Sequence, residues 1–151
     1  RRHPALGDPR RVLVAAVQAV AQLGDVVDIA PTIDSAPVGP SLRRYANGAL
    51  LLETALEPLD LLASLKRIEA HFGRSTRGQR WSSRVIDLDI VLWSGGAFAD
   101  PDLIVPHSLM RTRDFVLRPA AAIAPHWRDP ISGFTLIQLL KRLTSPRPLP
   151  R

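Results

Sequence analysis

The stretch RWSSRVIDLDIVL, residues 80–92, limits what this chain can become more than any other. Asp87 and Asp89 stand one residue apart inside a run that is otherwise strongly apolar. Side chains alternate along a strand, so Ile86, Leu88, Ile90 and Leu92 share one face and the two aspartates share the other. The pattern predicts a strand buried on one side and charged on the other. At the rise of a strand the carboxylate stems lie roughly 7 Å apart. Bare, they repel by about 2 kcal/mol at an effective dielectric near 20. A cation between them removes that cost and reverses its sign.

The flanking sequence supplies layers for such a strand to pack in. Asp8-Pro9 opens a helix, with Leu13, Ala16, Val17, Val20 and Leu23 at helical spacing and Gly24 as its stop. Residues 26–34 and YANGALLLET, residues 45–54, read as strands, joined by the loop SAPVGPSLRR. Pro58 opens a second helix whose buried face is Leu61, Leu65, Ile68 and Phe72, ended by Gly73. RSTRGQRWSSR has no periodicity and reads as a mobile loop before the strand VIDLDIVLW, residues 85–93. Pro106-His107 belongs to a loop, and helices are expected over 112–123 and 134–143. The order predicts an α+β sandwich, helices packed on one largely antiparallel sheet. It reads like a ferredoxin-like βαββαβ unit without its first strand, plus extra C-terminal elements.

The 151 residues suit a single domain, 1–151, with 144–151 as a frayed tail. No apolar run approaches the length of about 18 that spans a membrane. The basic start RRHPALGDPRR lacks the apolar stretch of a signal peptide. With no cysteine, disulfide and thiolate chemistry are excluded, which fits a cytoplasmic protein. The net charge of +6, carried mostly by arginine, points to an anionic partner.

Mg²⁺ suits the aspartate pair, because it prefers hard oxygen ligands and usually takes one or two carboxylates together with substrate phosphates. A D-x-D by itself is a weak motif, and pairing of both aspartates with arginine is the plainer alternative. The loop running into the strand changes the balance. Arg74, Arg77, Arg80 and Arg84 overcompensate two aspartates, and the surplus calls for an anion outside the chain. A polyphosphate with metal satisfies both sets at once. In YANG, Tyr45 and Asn47 share one strand face and suit a flat heterocycle, the ring as a stacking platform and the amide as donor and acceptor. VPHSLMRTRDF offers His107, Arg111, Arg113 and Phe115. Glu69 lies beside the apolar stripe of the second helix, where pairing with Lys66 or Arg67 is its simplest role.

RWSSRVIDLDIVLW followed by VPHSLMRTRDFVLRPAAAIAP closely resembles the 6-hydroxymethyl-7,8-dihydropterin pyrophosphokinase family of folate synthesis. The family pattern there is R-W-x-x-R-x-x-D-L-D-[IL], then V-P-H-x-x-[ML]-x-x-R-x-F-x-L-x-P. APVGP, YANGALLLET and RIEAHFGR match upstream, and the likeness covers about residues 8–145. The resemblance implies a ferredoxin-like core and transfer of pyrophosphate from ATP to the pterin hydroxymethyl oxygen, releasing AMP. It implies attack at the β-phosphorus, with two Mg²⁺ ions held by Asp87 and Asp89. Arg84 corresponds to a phosphate clamp and Arg74 to a loop arginine closing over the reaction. Glu69, Arg80, Trp81, Ile90, His107 and Arg113 fall on the ATP side with Arg84. Tyr45 and Phe115 correspond to the two walls of the pterin pocket, with Asn47 at its edge and Ser35, Ala36 and Val38 along the loop. A monomer acting on small molecules is expected, without nucleic acid or membrane.

Two other functions fit parts of the pattern. A ferredoxin-like nucleic-acid module would use the charge, the arginines and the aromatics, but an anionic pair in the middle of a basic surface repels a phosphate backbone. A carboxylate-pair hydrolase needs one raised pKa, whereas four arginines depress both, and two aspartates on one strand face do not flank a sugar from opposite sides.

Overall fold

The computed structural model describes residues 9–35, 45–74 and 86–145, with only the backbone of Ser35, Tyr45 and Arg74. Helix α1, Pro9–Val20, begins on a proline whose fixed φ suits the first turn. Val12, Ala16 and Val20, four residues apart, form its buried stripe. Strand β1, Asp25–Ile29, then pairs antiparallel with β4, Leu50–Glu53. Between α1 and β1, Gly24 lies so close to β4 that an added Cβ would overlap the Glu53 carbonyl oxygen. The Thr54 hydroxyl donates to the Leu23 carbonyl at 2.8 Å and closes the same corner.

The two strands expected over 26–34 and 45–54 each break in two. Strand β2, Ile33–Ser35, pairs antiparallel with β3, Tyr45–Asn47. The break in the first strand falls where Pro31 has no N–H to give a ladder. The register also slips between Val26 and Asp28, so the β1–β4 pair is already bulged before it ends. Across the gap, the Ala30 N–H still donates to the Ala49 carbonyl at 2.9 Å.

Helix α2, Pro58–Arg74, opens on the expected proline. Leu65 and Phe72 are buried on it, and Leu61 and Ile68 are half-buried. After residue 85 comes a short antiparallel hairpin, β5, Phe98–Asp100, with β6, Leu103–Val105. A 3-10 turn, Met110–Thr112, leads into α3, Asp114–Ile123, and α4, Leu136–Thr144, follows. Helix α4 starts on a reciprocal cap: the Gln138 N–H donates to the Thr135 hydroxyl and the Thr135 N–H donates to the Gln138 side chain.

The strand expected over 85–93 is corrected by the structure. Among the described residues, 86–93 pair with no strand. The predicted alternation nevertheless holds at its start. Ile86 is buried and Leu88 half-buried, while Asp87 and Asp89 face solvent. Ile86 and Leu88 pack with Val12, Ala16, Ile68 and Phe72 between α1 and α2. Val91 and Leu92 pack instead against the second core, built by Met110, Leu117, Ala120, Leu136 and Leu139. The aspartate-bearing segment therefore joins the two cores. The architecture is α+β, with helices beside small antiparallel sheets. Among the described residues no helix is long and apolar enough to cross a membrane.

Candidate active site

Asp87 and Asp89 project from the side of their segment opposite Ile86, and burial of Ile86 is what turns them outward. Two contacts hold the backbone that carries them. The Leu88 N–H, between the two aspartates, donates to Glu69 Oε2 of α2 at 2.6 Å. The His107 N–H donates to the Val91 carbonyl at 3.0 Å. Glu69 is nearly enclosed, with 10% of its side chain exposed, and its other oxygen lies 3.3 Å from Lys66 Nζ. The expected Lys66 pairing is present, and the grip on Leu88 is a further contact that sequence spacing could not disclose. Arg67 turns elsewhere and donates to the Ser64 hydroxyl at 3.0 Å.

His107 stands beside the pair. Its Nδ1 accepts the Leu109 N–H at 3.1 Å, so in the neutral ring the hydrogen sits on Nε2. That nitrogen faces Asp89 Oδ2 at 3.8 Å, too far for a direct hydrogen bond. Asp89 itself is 56% exposed, open to any partner arriving from solvent. Ile90 is half-buried next to it. Glu69, Leu88, Asp89, His107 and Val91 thus form one connected set drawn from α2, the segment and the Pro106-His107 loop.

Arg113 and Phe115 form a second group at the start of α3. The guanidinium carbon lies 5.5 Å from the ring centroid, within cation–π reach. Helix α3 packs against β2, β3 and β4, which brings the helix bearing Phe115 beside the strand bearing Tyr45 and Asn47. Asn47 is half-buried on β3, opposite Ile33. Ala36, Val38, Arg80, Trp81 and Arg84 lie outside the described residues, as do the side chains of Ser35, Tyr45 and Arg74.

Arg111, singled out with His107 and Arg113 from the sequence, has a structural partner. Its Nε and Nη2 donate to the two oxygens of Asp129 at 2.6 and 2.7 Å. Asp129 has no exposed surface and also accepts the Ser132 hydroxyl at 2.7 Å and the Ile131 N–H at 3.0 Å. Burial alone would raise its pKa, but these donors outweigh it and hold the carboxyl well below the usual carboxylate range. The same pairing raises Arg111. Asp129 was not anticipated; the run Asp129-Pro130-Ile131-Ser132-Gly133 is a turn signal that could have flagged it.

The donor set bears on what metal could be held here. Among the described residues no three His, Cys, Asp or Glu side chains converge on one point. A pair of exposed carboxylates cannot complete a tetrahedral protein site of the zinc kind. It does fit Mg²⁺, which keeps waters and takes its remaining ligands from phosphates.

Comparison with known proteins adds to this geometry. A family model described as 7,8-dihydro-6-hydroxymethylpterin-pyrophosphokinase matches residues 4–125. The chain is 42% identical over 138 residues to a 2-amino-4-hydroxy-6-hydroxymethyldihydropteridine pyrophosphokinase of Pseudomonas aeruginosa, covering 89% of this chain and 84% of that protein. It is 42% identical over 105 residues to the protein of the same name from Synechocystis, covering 70% of this chain but 53% of the relative. The folic acid synthesis protein fol1 of Schizosaccharomyces pombe is 33% identical over 124 residues, 80% of this chain and 16% of that much longer protein.

Proposed function

The chain belongs to the 7,8-dihydro-6-hydroxymethylpterin-pyrophosphokinase family, and from that membership we propose that it transfers pyrophosphate from ATP to 6-hydroxymethyl-7,8-dihydropterin in folate biosynthesis. The hydroxymethyl oxygen attacks the β-phosphorus and the bond to the α-phosphate oxygen breaks. AMP leaves, the pterin diphosphate forms, and the hydroxyl proton is given up. The observation that carries the reading is the exposed pair Asp87 and Asp89 on a segment fixed from behind by buried Ile86.

Asp87 and Asp89 would hold two Mg²⁺ ions, which supply charge neutralisation and alignment for the phosphates when bound. Arg84 clamps the phosphates, and Arg74 closes over them from the end of α2. Arg80, Trp81, Ile90, His107 and Arg113 complete the ATP side, where Glu69 also belongs. Tyr45 and Phe115 sandwich the pterin, Asn47 bonds its edge, and Ser35, Ala36 and Val38 border it. The packing of α3 on β3 supports a shared pocket for these last residues. No strong base is required of any side chain, since catalysis of this kind rests on alignment and electrostatic stabilisation. Closure of the arginine loop would exclude water from the reacting phosphates. The α+β composition and the antiparallel pairing among the described residues support a ferredoxin-like core, and a monomer acting in the cytoplasm fits the same reading.

The test is the fate of a terminal label. With ATP labelled at the γ-phosphate, the pterin and Mg²⁺, the label should appear in a pterin diphosphate while the nucleotide product is AMP. Formation of ADP with a pterin monophosphate would replace this reading with simple phosphoryl transfer.

A further inference from the structure

We propose that Asp129 is a positioning residue: through Arg111 it fixes the turn that carries His107 before it and Arg113 after it, and so the placement of both for the nucleotide. The proposal rests on the reading of His107 and Arg113 as ATP contacts. Arg111 is the middle residue of the 3-10 turn Met110–Thr112. Two bonds tie His107 to the start of that turn. The Met110 N–H donates to the His107 carbonyl at 3.1 Å, and the Leu109 N–H donates to His107 Nδ1 at 3.1 Å. The Thr112 N–H donates to the Leu109 carbonyl at 3.2 Å. Past the turn, the Arg113 carbonyl accepts the Val116 and Leu117 N–H groups of α3 at 3.1 and 3.0 Å. Whatever orients the turn therefore orients the backbone from which both side chains leave.

Two consecutive side chains hold the turn from within. Met110 has no exposed surface and packs with Leu117, Ala120, Leu136 and Leu139. Apolar burial is non-directional, so by itself it leaves the turn free to rotate about that anchor. Arg111 removes this freedom, because its planar fork meets both Asp129 oxygens at once. Asp129 is fixed in its turn. Its N–H donates to the Phe134 carbonyl at 2.8 Å, its carbonyl accepts the Gly133 N–H at 2.8 Å, and its side chain also takes the Ile131 N–H and the Ser132 hydroxyl. The chain then runs directly into the Thr135 cap of α4. A wholly buried carboxylate is a costly way to join two elements, since well-packed apolar residues of similar volume are often as stable. What the ion pair adds over such packing is direction.

The experiment is calorimetric titration with MgATP in the absence of pterin, so that transfer has no acceptor, on folded proteins well below their melting temperatures. Exchange of the Leu109 and Met110 amides is followed by NMR on nucleotide-free samples. The double variant Arg111→Leu with Asp129→Asn removes the fork without stranding a charge, and the new amide keeps an oxygen for the Ile131 N–H. It should weaken MgATP binding about tenfold and speed exchange of both amides about tenfold. Arg111→Lys keeps the charge but cannot form the fork, and should weaken binding about threefold or more. Unchanged MgATP affinity in the folded double variant overturns the proposal, since a purely structural pair moves the melting temperature and not the affinity. Unchanged exchange of both amides overturns it as well. So does parent-like affinity in Arg111→Lys, because charge without the fork would then suffice; should the double variant not fold, this result decides alone. His107→Ala and Arg113→Ala separate the proposal from its premise. Unaltered MgATP affinity in both removes the reading of these residues as ATP contacts. Weakened affinity there, with parent-like affinity in the double variant, removes only the role of Asp129 and Arg111.

Discussion

Asp129 has no surface in contact with water, yet it stays ionised because Arg111 reaches both its oxygens and Ser132 and Ile131 supply two more donors. Removing one member of such a pair strands the other. Arg111→Ala should therefore cost about 3–5 kcal/mol in denaturant unfolding, far more than loss of an exposed ion pair. The pH dependence has a definite sign. The Asp129 carboxyl is depressed in the folded state, so its contribution is full above its unfolded pKa of about 4 and is lost as pH falls towards the folded value. Thermal melts should show the advantage of the parent over Arg111→Ala shrinking below pH of about 4. An advantage constant down to pH of about 2.5 would contradict the assignment. The sequence marked Arg111 as a cation near the site but could not name its partner, because Asp129 becomes its neighbour only through the packing of α3 and α4. Asp87 and Asp89 were legible for the opposite reason: their alternation with Ile86 and Leu88 is local and fixes their side without knowledge of the fold.

Among the elements, those with local punctuation were readable and those defined by a partner were not. Pro9 and Pro58 open α1 and α2 where expected, and apolar spacing marked their buried faces. The hairpin of β5 and β6 went unseen because three-residue strands carry too little pattern. Its turn did leave a trace, since the Asp102 N–H donates to the Asp100 side chain at 3.0 Å. The pairing state of residues 86–93 depends on which strand lies alongside, and no local pattern contains that. Two elements allow direct checks. Thr135→Ala removes one half of the cap on α4 and should lower stability by about 1 kcal/mol, read from the urea midpoint. Phe72→Ala empties the space against Val12, Ala16 and Ile86 and should cost about 3–5 kcal/mol. It should also speed amide exchange in 86–89, because Ile86 is what seats the aspartates; exchange there as slow as in the parent would show that the segment is held by other means.

For the whole molecule, one segment links two hydrophobic cores and carries its charge outward, on a chain with net charge +6. Packed side chains behind and solvent-exposed carboxylates in front suit the proposed alignment-driven phosphate chemistry. The proposed metal role of Asp87 and Asp89 rests on their exposure on this segment. Because both side chains are exposed, truncating either should leave the fold intact while removing function. The most direct measurement is AMP release from ATP by the parent chain and by Asp87→Ala and Asp89→Ala, with and without 6-hydroxymethyl-7,8-dihydropterin and Mg²⁺. The parent should form AMP only when pterin and Mg²⁺ are both present, and each variant should fall by about a hundredfold or more at unchanged melting temperature. AMP release by either variant at near the parent rate in Mg²⁺, or by the parent without pterin, would contradict the account.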